Sequence, residues 1–454
     1  MLGKSVSNRM KNVAKISSGN IIGQLISIAT LPFIARIYGA EIMGIWTVIS
    51  SISNILMTFC DLGLSQALMI SEEEEKVPLY RFISTFSVLS CFCSSVIVFI
   101  YYAIIGDKGF NYSILVSLFT FVYSFTLRQV QTCYTLLNRE KEYTVLMKNP
   151  IINHGTMALL AIVIGMIGGE KYGYYIGMTL GQLLTLLHMK RKLPSGMFFF
   201  DVQQGKKILA KYNDFVKFQM PTLVMAQLRQ QLPNLLIGSL FGNIVLGYYS
   251  ISFRLLNMPV TFIGQALGRV FYQAAAEMQR KGENISLFVY RNLKRAILLA
   301  CIPMAFFAAY GDIAVILFFG IEYSVGGIIS RIVVFQTFFT FVSTSTQGLD
   351  IVLRKQKVAM ITCIAQTITS SLSVISTYYI TNNIYVCVVL MTITFVVIQI
   401  LYFCKMFVIM GNSPKNYLKN IIPALCIIGV SSLVLRMIYD YVVTTFNLTF
   451  LMFY

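Results

Sequence analysis

The stretch Phe218–Gln279 reads FQMPTLVMAQLRQQLPNLLIGSLFGNIVLGYYSISFRLLNMPVTFIGQALGRVFYQAAAEMQ. Two apolar segments meet at a short turn, Phe241-Gly242-Asn243. Each is long enough to cross a bilayer, which needs about 20 residues. Yet both carry polar groups. The first holds Gln227, Arg229, Gln230, Gln231 and Asn234 around Pro233, and the second holds Arg254, Asn257, Gln265 and Arg269. A charge at mid-membrane costs about 2.5–3.5 kcal/mol on insertion scales. A chain keeps such a charge where it faces water, a partner or a substrate, and for arginine the fitting substrate is an anion.

Working outward, 57% of the 454 residues are hydrophobic, only 12% are charged, and mean hydropathy is +0.72. That excludes a soluble domain and predicts an all-α polytopic membrane protein. The first apolar run, from about Ile16, has no small-residue cleavage site, so no cleaved leader is expected. Loops are short, with no room for a soluble catalytic domain, which argues against an ATP-driven pump. No Ser/His/Asp arrangement, metal-ligand cluster or GxxxxGK[ST] phosphate loop is present. The expectation is therefore a protein that is not an enzyme, with no metal and no cofactor. The nine cysteines are scattered; the close pair Cys91 and Cys93 falls inside an apolar run, so no disulfide framework is read.

Thirteen spans are expected, near residues 16–38, 43–70, 82–105, 112–136, 146–167 and 172–189, then two in the quoted stretch, then 296–319, 324–353, 358–380, 384–409 and 421–439. The piece 442–454 is short for a crossing, which leaves a fourteenth span open. Assigning Lys and Arg to connectors puts 28 of 36 on the N-terminal side, including Arg128 and Arg139, and 4 on the other: Arg36, Lys108, Lys171 and Arg436. The remaining 4, Arg229, Arg254, Arg269 and Arg331, lie within spans. Such asymmetry predicts a cytoplasmic N-terminus and accounts for the net charge of +18 without nucleic acid. The run Glu72–Glu75 reads as a solvated loop. In the basic connector Lys190–Lys217, Ile208, Leu209, Tyr212, Phe215 and Val216 at helical spacing predict an amphipathic helix on an anionic inner leaflet.

An internal echo organises the chain. Tyr38-Gly39 to Gly44-Ile45-Trp46 and Phe241-Gly242 to Gly247-Tyr248-Tyr249 share an aromatic-Gly-x4-Gly-x-aromatic pattern, each with a proline upstream, Pro32 and Pro233. Six spans separate them, which predicts a parallel repeat. The expected parts are a six-helix lobe at 1–190, a linker at 191–217, a second six-helix lobe at 218–410, and one or two extra helices at 411–454.

Polar stripes mark the candidate residues. Ser50, Asn54, Thr58, Asp61 and Ser65 share one face of span 2, and Asn20, Gln24 and Ser27 one face of span 1. At 100° per residue, Arg254, Thr261 and Gln265 share a face of span 8, with Arg269 nearby. Ser, Thr and Asn here can equally serve as interhelical hydrogen bonds. Arg36 and Arg269, near span ends, can snorkel to headgroups. The candidate anion- and sugar-binding set is Arg229, Arg254, Arg269, Arg331, Arg36, Asn20, Gln24, Asn54, Gln230 and Gln265. Asp61 and Asp312 are the intramembrane acids, read either as structural partners of arginine or as sites for a coupling cation. The lone His154 reads as structural.

Several motifs carry a family resemblance: Pro32-x-x-Ala35-Arg36-x-Tyr38-Gly39; Gly247-Tyr248-Tyr249 with Phe253-Arg254-Leu255-Leu256 and Pro259; Gly268 to Phe271 with Gln273-Ala274; and Phe319-Gly320 with Tyr323 and Gly326. Over residues 16–357 the chain resembles bacterial oligosaccharide flippases of the Wzx type, in the superfamily that also holds the MATE drug exporters and the lipid II flippase. The resemblance implies two six-helix lobes around a V-shaped central cavity and alternating access. It implies a cargo of oligosaccharide on undecaprenyl diphosphate, moved across the cytoplasmic (inner) membrane for O-antigen, lipopolysaccharide or another polysaccharide. It also implies contact with membrane lipids, a coupling cation (proton or sodium) and a polysaccharide polymerase as partner. A diphosphate is an anion that arginine grips bidentately. The alternatives are a MATE-like exporter of cationic drugs, which would want acids in its cavity, and a lipid II flippase, which differs in cargo.

Overall fold

In hydrocarbon an unpaired backbone amide finds no water, so an apolar chain that crosses a membrane becomes helical. The computed structural model describes residues 2–105, 109–194, 196, 198 and 201–445, without the side chains of 2–14, 105 and 202. Lys108, the side chains of Lys4, Arg9 and Lys11, and a fourteenth span beyond Thr445 lie outside the described residues. The chain divides into two units, Met1–Ser239 and Leu240–Tyr454.

The first unit contains α1 (Leu2–Phe59), α2 (Leu64–Ile70), α3 (Glu73–Ile100), α4 (Phe110–Arg139), α5 (Tyr143–Met166), α6 (Gly173–Lys190), α7 (Val202–Lys211) and all but the last residue of α8 (Met220–Leu240). The second contains α9 (Asn243–Leu256), α10 (Gln265–Arg280), α11 (Ser286–Phe319), α12 (Ser324–Ser345), α13 (Leu349–Val352), α14 (Gln356–Ile380), α15 (Ile384–Ile409) and α16 (Pro414–Thr445). π turns occupy Tyr101–Ile105, Phe215–Gln219 and Val260–Gly264. Among the described residues nine helical stretches are long and apolar enough to cross a membrane: Lys15–Phe59, Glu73–Ile104, α4, α5, α11, Ile321–Ser345, α14, α15 and α16.

Spans 1 and 2 are two helical limbs of α1, and they part at a kink where Gly39 has non-helical backbone (φ 69°, ψ 174°). The same conformation recurs at Gly109 (80°, 155°), Gly242 (95°, 166°) and Gly320 (103°, 166°). Only glycine adopts it readily, because a Cβ would collide with the local backbone. The opposite helix ends also repeat. Lys141 (φ 62°) and Arg354 (φ 54°) follow α4 and α13 in left-handed backbone. The next amides, Glu142 and Lys355, donate to the carbonyls of Leu137 (3.0 Å) and Asp350 (2.7 Å). This six-to-one bond closes a helix by satisfying a terminal carbonyl.

In the first unit α5 packs on both α1 and α6, and α4 on α3, α1 and α6. Gly19 lets α1 approach the Met147 carbonyl so closely that a Cβ there would lie 2.0 Å from it. The one tryptophan, Trp46, is buried against Tyr123, Tyr174 and Tyr175, and the Tyr38 hydroxyl donates to the Ala161 carbonyl at 2.5 Å. In the second unit α11 packs on α12 and α16, and α14 on α15. Phe338, Phe339 and Phe341 fill its interior from α12.

Several expectations need correction. The Glu72–Glu75 run is largely solvated, as expected, but is not a loop: Glu73 begins α3, and its exposed carboxylate binds Lys76 (2.7 Å) and Arg139 (2.9 Å). The amphipathic helix forms, as α7, but its apolar face is not free for a leaflet. Ile208 and Tyr212 are buried against Leu79, Tyr80 and Ile83 of α3 and their neighbours. Lys211 binds Glu75 (2.6 Å) and Glu72 (3.0 Å), and the Tyr212 hydroxyl donates to Glu75 at 2.7 Å. Arg128 and Arg436 are not connector charges; they lie inside α4 and α16.

Candidate functional site

The charged groups inside the apolar helices fall into clusters that each unit builds separately. In the first unit α1 stops at Phe59, and Cys60–Gly63 makes a turn with left-handed backbone at Leu62 (φ 52°) and Gly63 (φ 72°). Asp61, in that turn, accepts from the Ser65 amide (3.1 Å) and hydroxyl (2.6 Å), which holds the first turn of α2. Arg128 of α4 completes the site. Its Nη1 is 3.2 Å from Asp61 Oδ1, its Nη2 donates to the Ser65 hydroxyl, and its Nε donates to Thr132 at 3.2 Å. Side-chain exposure is 3% for Arg128 and 5% for Asp61. A buried pair with its hydrogen bonds satisfied is rigid, and removing one member typically costs about 3–5 kcal/mol because the other charge is stranded.

In the second unit Asp312 of α11 takes two guanidinium groups. Arg331 of α12 lies 3.5 Å away and also donates to the Ala308 carbonyl at 3.0 Å. Arg436 of α16 contacts both carboxylate oxygens, at 2.9 and 3.2 Å. Arg436 also lies 5.3 Å from the centre of the Tyr439 ring and 3.6 Å from Asp440.

The remaining candidates are distributed over both units. Asn20 and Gln24 are half-buried on the first limb of α1, Arg36 is exposed there, and Asn54 is half-buried on the second limb. On α8, Arg229 is half-buried and Gln230 exposed, while Asn234 donates to Ser51 of α1 at 3.3 Å. Arg254 on α9 and Gln265 on α10 are half-buried, and Arg269 is exposed. Span 8 is not one helix. α9 ends at Leu256, and the π turn Val260–Gly264 intervenes before α10, so a constant 100° per residue does not carry from Arg254 to Gln265. Of the predicted groups, Asp312 and Arg331 meet directly.

Arg128 and Arg436 were missed as site residues because each was assigned to a connector. One signal pointed to both: Arg128 lies within the apolar run 112–136 and Arg436 within 421–439. What the arrangement offers chemically is an excess of arginine over acid in half-buried helical positions, with hydroxyls and carboxamides on neighbouring turns. Such groups bind anionic and polyhydroxylated ligands. Among the described residues no group of three or more His, Cys, Asp and Glu is placed to hold a metal ion.

Comparison with solved structures places this architecture. The lipid II flippase MurJ in an inward closed conformation superposes with a TM-score of 0.67 at 12% identity, covering 97% of this chain and 100% of that one. An inward-facing MATE multidrug resistance transporter of the MOP superfamily gives 0.55 at 15% identity, covering 87% and 93%. A MOP superfamily transporter from Pyrococcus furiosus gives 0.54 at 14% identity, covering 88% and 96%. At these identities the likeness is one of fold: an all-helical, multi-pass membrane protein on the MOP-superfamily transporter scaffold. No curated protein matches by sequence. A family described as polysaccharide biosynthesis protein matches residues 33–327, well over half of the chain. By that match the chain belongs to the polysaccharide biosynthesis protein family, built on the fold of the MOP-superfamily transporters.

Proposed function

We propose that the protein is a Wzx-type flippase. It moves an oligosaccharide on undecaprenyl diphosphate from the inner to the outer leaflet of the cytoplasmic membrane by alternating access, upstream of a polysaccharide polymerase. The observation that carries this is the combination of family and fold: a polysaccharide biosynthesis protein that covers the whole length of a lipid II flippase. The chemistry agrees. Arg229 and Arg254 are half-buried on α8 and α9, and a guanidinium matches a diphosphate oxygen pair. Arg36, Arg269, Asn20, Gln24, Asn54, Gln230 and Gln265 extend the same reading to further phosphate and sugar contacts. The lipid tail stays in the bilayer, where it incurs no transfer cost.

An ion gradient drives the cycle in this reading, and Asp61 and Asp312 are the acids at which a proton or sodium ion would act. Each already holds arginine, so an incoming cation competes with a guanidinium. The deciding experiment uses a deletion strain whose undecaprenyl-diphosphate-linked sugars are extracted and weighed by mass spectrometry. Accumulation of one repeat unit, cleared by the wild-type gene but not by Arg254→Ala, is the expected result. A strain with no accumulation but altered resistance to small cationic compounds would replace this function with drug export.

A further inference from the structure

Spans 2 and 8 repeat one another at a constant separation of 203 residues, and the repeat reaches side-chain geometry. Gly39 and Gly242 open the two spans in the same glycine-only backbone. Asn54 and Asn257 each donate a carboxamide N–H to the carbonyl four residues back, Ser50 and Phe253, at 2.8 Å in both. Thr58 and Thr261 each donate to the carbonyl of that asparagine, at 3.2 Å in both. Side chains that bond back onto helical carbonyls loosen the ladder and bend helices. Both helices depart from α geometry close by, at Cys60–Gly63 just past Thr58 and at Val260–Gly264, which contains Thr261. At the 203-residue separation Cys60–Gly63 answers to 263–266, so the chain carries two bends whose registers overlap at Ile263 and Gly264.

What fills the bends differs. At the same separation, Asp61 corresponds to Gly264 and Ser65 to Gly268. On the neighbouring helices Lys141 and Arg354 mark equivalent ends, 213 residues apart, and that separation sets Arg128 against Phe341. In the first unit the bend is closed by Asp61, Ser65 and Arg128, all buried. In the second unit a Cβ on Gly264 would sit 3.6 Å from the Phe341 ring and Thr344, and one on Gly268 would sit 2.1 Å from the Thr344 carbonyl. A charged pair has been replaced by glycine lying on a ring and a backbone.

We propose that Asp61 and Arg128 are positioning residues that lock the bend of span 2, and that the glycine-packed bend of span 8 is the compliant one. The shape change of a transport cycle is then taken up between α9 and α10, while α1 and α2 hold their angle. An ion pair in an apolar interior has no comfortable half-separated state, since parting the charges leaves both without water. Dispersion contacts of glycine with a ring are individually small and exchange gradually as the surfaces slide. π turns interrupt the regular helical ladder and recur at functional sites. The proposal stands whatever the cargo, and of the two intramembrane acids it leaves Asp312, not Asp61, for a coupling cation.

Hydrogen exchange measured by mass spectrometry on the full chain in lipid nanodiscs tests it without cargo. Peptides over 257–270 are expected to exchange at least about tenfold faster than those over 54–70. Arg128→Gln should raise exchange over 59–70 and leave 257–270 unchanged. The double variant Asp61→Gly with Arg128→Phe writes the span 8 packing into span 2, and it avoids a stranded charge. It should fold, and its 59–70 segment should exchange like 257–270. Equal exchange of the two segments in the wild type overturns the proposal, and that comparison decides even where a variant does not fold. A folded double variant with 59–70 still protected overturns it as well.

Discussion

Arg436 lies 2.9 Å from one carboxylate oxygen of Asp312 and 3.2 Å from the other, a two-point contact that ties α16 to α11. The Tyr310 hydroxyl adds a bond to the Leu435 carbonyl at 2.9 Å on the same face. Side-chain exposure of 16% for Arg436 and 11% for Asp312 means that little water competes.

The first prediction concerns this tie. Arg436→Gln should lower stability by about 1.5–3 kcal/mol, the range for a hydrogen bond to a charged group. Asp312→Asn, which also releases Arg331, should cost at least as much, and the double variant should lose less than the sum, because the two share one interaction. Thermal unfolding of the purified protein in detergent measures all three. Strictly additive losses would mean that the contact is not what holds α16.

The second prediction separates two kinds of glycine. Gly39 and Gly155 both have open space where a Cβ would stand, but only Gly39 has positive φ. Gly39→Ala should therefore cost about 1–3 kcal/mol of backbone strain. Gly155→Ala, in regular α5 helix, should instead gain up to about 1 kcal/mol. The same unfolding assay reads both. A Gly39→Ala protein as stable as wild type would show that the α1 kink does not have the backbone described.

The third concerns the docking of α7. Hydrogen bonds to Glu75 and then to Glu72 hold the Lys211 ammonium above its ordinary range. Burial, then Glu75, pushes the Tyr212 hydroxyl up to about 12. A raised folded-state pKa contributes stability that is complete below the unfolded value, about 10.4 for lysine, and is lost as pH rises through the folded value. Docking should thus be flat from neutral to mildly alkaline pH and should loosen only beyond the ordinary lysine range. A spin label on Lys206→Cys would report it as increased mobility. Lys211→Glu should release the helix already at neutral pH. Loosening of the wild type centred near neutrality would assign the clamp to other groups.

The fourth concerns cargo. If Arg229 and Arg254 each hold one charge-assisted contact to the diphosphate, each alanine variant should slow transport about 10- to 100-fold. Lysine at either position should retain part of the rate, since it keeps the charge and loses the fork. Surface polysaccharide at matched expression is the readout. A double alanine variant with unchanged polysaccharide would remove these arginines from the site.

Much of the architecture is legible in the sequence, because its causes are local. Apolar runs become helices wherever backbone groups lack water, and Gly39 and Gly242 stand where the chain must turn through a conformation closed to other residues. The amphipathic spacing of Ile208 and Tyr212 gave a helix, but what it lies on depends on α3, far away in sequence. Arg128 shows the same limit. Its partner Asp61 is 67 residues back, and nothing in the spacing of either residue encodes the other. The break in span 8 is the opposite case: Thr261, Gly264 and Gly268 were visible, but their effect on helical phase emerges only from the three-dimensional course of the backbone.

The two bends are followed by arms of unequal length. α2 has seven residues and α10 has sixteen. At about 1.5 Å per residue these are levers of about 10 and about 24 Å. A hinge rotation of about 10° displaces the tip of the shorter by about 2 Å and that of the longer by about 4 Å, roughly three quarters of a helical pitch. The larger sweep thus lies with span 8, and a sub-ångström adjustment where Gly268 touches Thr344 is magnified at Arg280, the basic end of the lever.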